Sequence, residues 1–96
     1  MTAAAGARVV AVPWLPAGVA AMTLDRMILM RRDHMGDEAL LAHELVHVRQ
    51  WGELGVPRFL WRYLSAYARG RLRGLGHWDA YQAIPLEVEA RLVAGR

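Results

Sequence analysis

Residues 43–47 of the chain read His43-Glu44-Leu45-Val46-His47, and this stretch determines most of what the sequence predicts. On a helix, residues four apart differ by about 40° around the axis and about 6 Å along it, so both imidazoles can reach one point. That spacing suits two bonds of about 2.0–2.1 Å from histidine nitrogens to one zinc ion. Glu44 is rotated by about 100° from His43, which places its carboxylate beside the ion. The pentapeptide therefore predicts a helix that supplies two metal ligands and a general base.

The surrounding residues favour a buried position for this helix. Apolar side chains occur on nearly all of its sides, namely Leu40, Leu41, Leu45, Val46, Val48 and Trp51. Unpaired polar groups are costly to bury, so two histidines and a glutamate in such a helix indicate a bound metal. The alternative is a helix with two half-buried histidines and Glu44 in solvent. Because the chain contains no cysteine, histidine and carboxylate must supply every ligand.

A catalytic zinc site also needs a third protein ligand and an open position for water. The extended metzincin motif would require Gly at position 50 and His at position 53, but the chain has Gln50 and Glu53. Glu53 lies roughly 15 Å along the helix from His43, so the third ligand must come from another element. The candidates are His77, Glu87 and Glu89, followed by His34 and Asp79.

Residues 1–96 are expected to form one α+β domain, because a second domain would need roughly 50 residues or more with its own core. Residues 8–32 contain β-branched and apolar runs interrupted by prolines, which predict a small N-terminal antiparallel sheet. Leu24-Asp25 is the expected hairpin connection. The alternation that follows it directs Ile28 and Met30 toward the core.

Three helices are predicted after the sheet. The active-site helix covers residues 36–54, a second amphipathic helix covers 57–70, and a last helix covers 85–94. Gly55 ends the first helix in the manner of a C-terminal glycine. The glycine-rich residues 74–79 are predicted to form a loop.

The charged residues favour a solvated surface over nucleic-acid binding. All twelve basic residues are arginine, and nine acidic residues reduce the net charge to +3. An arginine excess without lysine first indicates a GC-rich coding sequence. On the second helix, a stripe of Arg58, Arg62, Arg69 and Arg73 would lie opposite an apolar face of Phe59, Tyr63 and Tyr67. We interpret the stripe as solvated, with an acidic peptide, an anionic membrane or nucleic acid as alternative ligands.

No membrane span is expected. The longest uncharged run, Val9–Leu24, is too short to cross a bilayer and contains Pro13 and Pro16. The same prolines argue against a secretory signal peptide. The expected compartment is therefore the cytoplasm, with secretion as the alternative.

Residues 42–50 and the later Glu87-Val88-Glu89-Ala90 together resemble the gluzincin clan of zinc metallopeptidases. The chain is most similar to the very short single-domain, minigluzincin-like members and related uncharacterised bacterial domains. The resemblance implies a small sheet, an active-site helix beneath it, and a glutamate helix that supplies the third ligand. The clan's E-x-x-x-D pattern places that ligand at Glu87, with Glu89 as the alternative. It also puts Arg91 where an aspartate usually orients a zinc histidine.

The resemblance implies a peptidase with one Zn²⁺ bound by His43, His47 and Glu87. Glu44 would take a proton from the attacking water and return it to the leaving amine. A donor to the carbonyl oxyanion would come from His77 or Tyr81. A strand of a peptide or protein substrate would add to the edge of the sheet. The alternative is a non-catalytic, zinc-stabilised interaction domain on the same scaffold, and the sequence leaves the oligomeric state open.

Overall fold

The computed structural model describes residues 6–16 and 18–95. Within these ranges a three-stranded sheet precedes four helices, which confirms the predicted α+β class. The strands are β1 (Arg8–Val12), β2 (Ala21–Leu24) and β3 (Met27–Arg31). The helices are α1 (Glu38–Leu54), α2 (Val56–Leu72), α3 (His77–Gln82) and α4 (Pro85–Ala94).

The sheet has the strand order β1-β3-β2, and one of its two pairs departs from the prediction. β2 and β3 form the expected antiparallel hairpin, with Ala21 opposite Met30. β1 instead lies parallel to β3, with Val9 opposite Ile28, so the prediction of a wholly antiparallel sheet is wrong for this pair. The prediction failed here because strands that are consecutive in the sequence usually pair. In this sheet β3 lies between β1 and β2, which leaves β2 at an edge.

The hairpin turn lies one residue later than predicted, at Asp25-Arg26. Asp25 adopts a φ of +57°, a left-handed conformation that aspartate tolerates better than most residues. The predicted alternation in β3 is confirmed, because Ile28 and Met30 are 0% and 2% exposed. Both belong to the buried cluster between the sheet and α1, together with Val48 of α1.

Each end of α1 has a local cause. The carboxylate of Asp37 accepts a hydrogen bond of 3.0 Å from the backbone N–H of Leu40, which caps the first turn. At the other end, Gly55 has a φ of +77°, which most residues with a side chain avoid. The chain can therefore reverse within one residue and begin α2.

α2 and α3 meet at a close backbone contact. Gly70 of α2 is buried, and a Cβ atom added to it would lie 3.1 Å from the Cβ of Ala80. Ala80 belongs to α3, which begins at His77, whereas the sequence predicted a loop over residues 74–79. The contact with Gly70 packs this segment against α2. α4 has the bounds predicted from Pro85 and the apolar pattern behind it.

The arginine stripe of α2 lies on its exposed side, as interpreted from the sequence. In the part of the chain that the structure describes, no helix has both the length and the apolar character needed to cross a membrane.

Candidate metal centre

Three neighbouring polar side chains of α1 converge on one point. The ligand atoms of His43, Glu44 and His47 all lie within 4.8 Å of one another, and this group can hold a metal ion. Glu44 and His47 are each 4% exposed, and the two imidazole centroids are 5.0 Å apart. The four-residue spacing therefore brings both rings to one site, as the sequence predicted.

Glu87 reaches the same point from α4. Its Oε1 lies 3.0 Å from His43 Nε2, and its Oε2 lies 3.1 Å from His47 Nε2. The residue is 2% exposed. Pro85 starts the helix and sets Glu87 in its first turn, where α4 packs against α1. Of the third-ligand candidates drawn from the sequence, this carboxylate is the one that contacts both histidines.

The separations between the Glu87 oxygens and the two histidine nitrogens are close to those between ligands of a tetrahedral metal ion. His47 Nε2 is buried and has no hydrogen-bond partner, because its approach to Glu87 Oε2 lacks hydrogen-bond geometry despite the 3.1 Å separation. Burying such an atom unsatisfied is costly. Ligand atoms bound at about 2.0–2.1 Å around a tetrahedral ion are about 3.3 Å apart. The separations of 3.0 and 3.1 Å are shorter than this by only a few tenths of an ångström.

The charges of the cluster are coupled. Burial alone would raise the pKa of Glu87, but His43, His47 and Tyr63 around its oxygens hold this pKa well below its usual value. Burial alone would lower the pKa of His47, but its interactions with Glu87, together with Glu44 and Gln50, outweigh burial and raise it. Burial raises the pKa of Glu44, and the lowering effect of His47, Thr23 and His43 offsets only part of that rise. Glu87 thus stays an anion that can bind a cation, while Glu44 takes up a proton more readily.

Two tyrosines complete the surroundings of Glu87. The Tyr63 hydroxyl donates a hydrogen bond of 2.5 Å to Glu87 Oε2. Burial and the charge of Glu87 raise the pKa values of Tyr63 and Tyr81, so both phenols keep their protons. The sequence placed Tyr63 only on an apolar face. The signal that could have found it is the hydroxyl itself, since a buried phenol usually needs a partner.

The opposite ring atom of His47 also has a partner. Its Nδ1 lies 2.8 Å from Oε1 of Gln50, one helical turn further along α1. The Gln50 amide nitrogen donates to Glu89 Oε1 at 2.6 Å. Glu89, the alternative third ligand, therefore contacts Gln50 and also Arg49. The sequence used Gln50 only to exclude the metzincin motif.

Two hollows meet at the cluster. One, of about 230 Å³, lies between β2 and α2 and has a mostly apolar lining that includes Leu60 and Leu64. The other, of about 280 Å³, lies beside His43 and extends toward α3 and the start of β2. Glu44, Tyr81 and Glu87 line both hollows. The carboxylates thus face a cleft that runs along the edge strand.

The remaining candidates from the sequence lie elsewhere. His77, at the start of α3, is exposed, and its Nδ1 lies 2.9 Å from the Tyr67 hydroxyl; it lines neither hollow. His34 lies in the short turn after β3, and Asp79 is exposed on α3. Arg91 borders the second hollow and donates a hydrogen bond of 2.5 Å to the carbonyl oxygen of Gln82.

A comparison with known families adds one similarity. Residues 15–54 match the eCIS core domain. The matched segment contains β2, β3 and α1, and with them His43, Glu44 and His47, but it ends before α2. No curated protein and no solved structure matches the chain significantly. The chain is therefore similar to the eCIS core domain over the segment that holds the H-E-x-x-H residues.

Proposed function

We propose that the chain is a zinc-dependent peptidase with one Zn²⁺ held by His43, His47 and Glu87. The observation that carries the proposal is the position of Glu87. It lies 44 residues beyond His43, yet its two oxygens face the Nε2 atoms of both histidines at 3.0 and 3.1 Å. Two imidazoles and one carboxylate form a ligand set typical of catalytic zinc, and Cys is absent from the chain as a competing ligand.

Glu44 is the proposed general base. A zinc ion, when bound, supplies the Lewis acidity that activates water and polarises a carbonyl group. The Thr23 hydroxyl donates a hydrogen bond of 2.9 Å to Glu44 Oε1, which orients the carboxylate and leaves its other oxygen for the proton of the water. Burial raises the pKa of Glu44, so the residue can hold this proton until the amine leaves.

The edge strand β2 is the proposed docking site for the substrate backbone. The N–H of Arg31 donates to the carbonyl of Ala20 at 2.9 Å, which sets the alternation of the hairpin ladder. In that alternation, Ala21 and Thr23 turn their own N–H and C=O groups away from β3. Both residues line the first hollow, so an extended peptide can pair with them beside Glu44. The protonated Tyr81 hydroxyl is the proposed donor to the oxyanion.

Zinc content and peptide hydrolysis are measured for the wild type, Glu44→Gln, Glu87→Ala and the control Glu38→Gln, which changes an exposed acid of α1 outside the cluster. The wild type and Glu38→Gln should bind one zinc ion and cleave a mixed peptide library. Glu44→Gln should keep its zinc and lose about 10²–10⁴-fold in hydrolysis. Glu87→Ala should lose the zinc.

Each alternative has its own outcome. Equal turnover in Glu44→Gln rules out Glu44 as the base. A wild type that binds zinc but cleaves no peptide in the library corresponds to the non-catalytic, zinc-stabilised interaction domain.

A further inference from the structure

The sequence leaves Gln50 without a role, whereas the structure buries it to 2% exposure among polar partners. Its amide NH₂ group faces two acceptors, the carbonyl oxygen of Leu86 at 3.0 Å and Glu89 Oε1 at 2.6 Å. Its Oε1 lies 2.8 Å from His47 Nδ1. The reversed amide would place its oxygen against two other oxygens, so these contacts allow only one orientation. Gln50 therefore presents an acceptor to Nδ1.

This acceptor determines which nitrogen of His47 carries the proton. A neutral imidazole has one N–H and one lone pair, so Nδ1 donates to Gln50 and the lone pair stays on Nε2. Nε2 is the buried atom that has no hydrogen-bond partner. Histidines that bind metals have this arrangement, in which one nitrogen donates to a fixed acceptor and the other binds the ion.

We propose that Gln50 is a positioning residue of the metal centre, and that Glu89 holds its amide in the orientation that presents His47 Nε2 to the ion. The inference rests on the zinc site of the proposed function but not on hydrolysis. Glu89 thus supports a ligand and is not a ligand itself. Arg49 lies 3.2 Å from the same Glu89 oxygen and fixes it at the surface. Gln50 therefore supplies His47 with an acceptor, whereas Arg91 donates to the carbonyl oxygen of Gln82.

Zinc affinity tests the proposal, by competition with a chromogenic chelator on the full chain. Gln50→Leu should weaken zinc binding about 10–100-fold, as the loss of such a partner commonly does. Glu89→Ala should weaken it about 2–10-fold, because the Gln50 amide is then free to reverse. Glu89→Gln should remain close to wild type, since its amide oxygen still accepts from Gln50. The matched control is Glu53→Ala, which removes a different carboxylate paired with Arg49, at 3.4 Å.

Heteronuclear NMR of the histidine rings separates positioning from a general loss of structure. In the zinc-loaded wild type and in Glu53→Ala, the His47 Nδ1 proton should exchange slowly with water. In Gln50→Leu and Glu89→Ala it should exchange faster, while circular dichroism shows unchanged helix content.

Three results overturn the proposal in different ways. Wild-type zinc affinity and slow exchange in Gln50→Leu remove the positioning role. A loss in Glu89→Gln as large as that in Glu89→Ala identifies Glu89 as a ligand. A wild type that binds no zinc removes both the inference and the proposed function. If the expected effects occur in a chain that cleaves no peptide, the inference stands and the peptidase proposal fails.

Discussion

Replacing Tyr63 with phenylalanine tests whether α2 stabilises the buried carboxylate of Glu87. Tyr63→Phe removes one hydroxyl group and keeps the ring, which stacks on Phe59 at a centroid distance of 5.5 Å. The lost hydrogen bond spans 2.5 Å to Glu87 Oε2. Because the lowered pKa of Glu87 keeps this acceptor charged, the bond belongs to the stronger class, which contributes about 1.5–3 kcal/mol.

The metal-free chain should therefore lose about 2 kcal/mol of unfolding free energy in Tyr63→Phe. For a domain of this size, that loss lowers the Tm by about 8–16 °C. The assay is thermal unfolding followed by circular dichroism in the presence of a chelator. Tyr67→Phe is the matched control, because it removes the same atom from the same helix but at a hydroxyl whose partners are exposed, namely His77 at 2.9 Å and Arg71 at 3.1 Å. We expect its Tm to change by less than about 4 °C.

A double-mutant cycle with Glu87→Gln isolates the charged hydrogen bond. With a neutral acceptor, Tyr63→Phe should cost only about 0.5–1.5 kcal/mol. Equal Tm losses for Tyr63→Phe and Tyr67→Phe would refute the reasoning. An undiminished cost of Tyr63→Phe in the Glu87→Gln chain would refute it as well.

Two further predictions concern packing and protons. Gly70→Ala should destabilise the chain by about 0.5–2 kcal/mol in urea unfolding, because crowding of the new Cβ, 3.1 Å from Ala80 Cβ, costs about 1–3 kcal/mol and exceeds the helix-propensity gain of about 0.5–1 kcal/mol. The control Gly52→Ala adds its Cβ in open space on α1 and should stabilise the chain by about 0.5–1 kcal/mol. If Gly70→Ala were instead the more stable of the two variants, the close packing of α2 against α3 would be contradicted. Zinc affinity should fall with decreasing pH from above the ordinary histidine pKa of 6.5, because Glu87 raises the pKa of His47 and protons compete for Nε2. Affinity titrations at several pH values measure this, and a decline that begins only well below 6.5 would contradict the raised pKa.

The helices were predictable where local signals determine them. Gly55 ends α1 through its positive φ, and Pro85 opens α4, so both boundaries follow from single residues. The sheet was predictable only in part, because the parallel pairing of β1 with β3 joins strands that are not consecutive in the sequence. The helix α3 was missed altogether, for a similar reason. Ala80 orders that segment through Gly70, a contact between residues ten positions apart that no local pattern contains.

The candidate site divides in the same way. His43, Glu44 and His47 were predictable because helical geometry alone brings them together. The residues alone made Glu87 one of several candidates, and only the resemblance selected it, because its approach depends on the packing of α4 against α1. Tyr63, which was not predicted, approaches from α2. Gln50 stands on the same helix as the histidines, at a spacing of three residues from His47. Its role was nevertheless missed, because the orientation of an amide can be assigned only when the partners of both its oxygen and its nitrogen are known.

The similarity to the eCIS core domain covers less than the proposed zinc site. The matched residues 15–54 contain His43, Glu44 and His47, together with Thr23 and Gln50, which contact them. Glu87, by contrast, lies on α4, outside the match. The matched segment therefore contains the proposed base and two of the proposed ligands, whereas the proposed third ligand lies outside it. The Glu87→Ala variant consequently tests the part of the site that the family similarity does not reach.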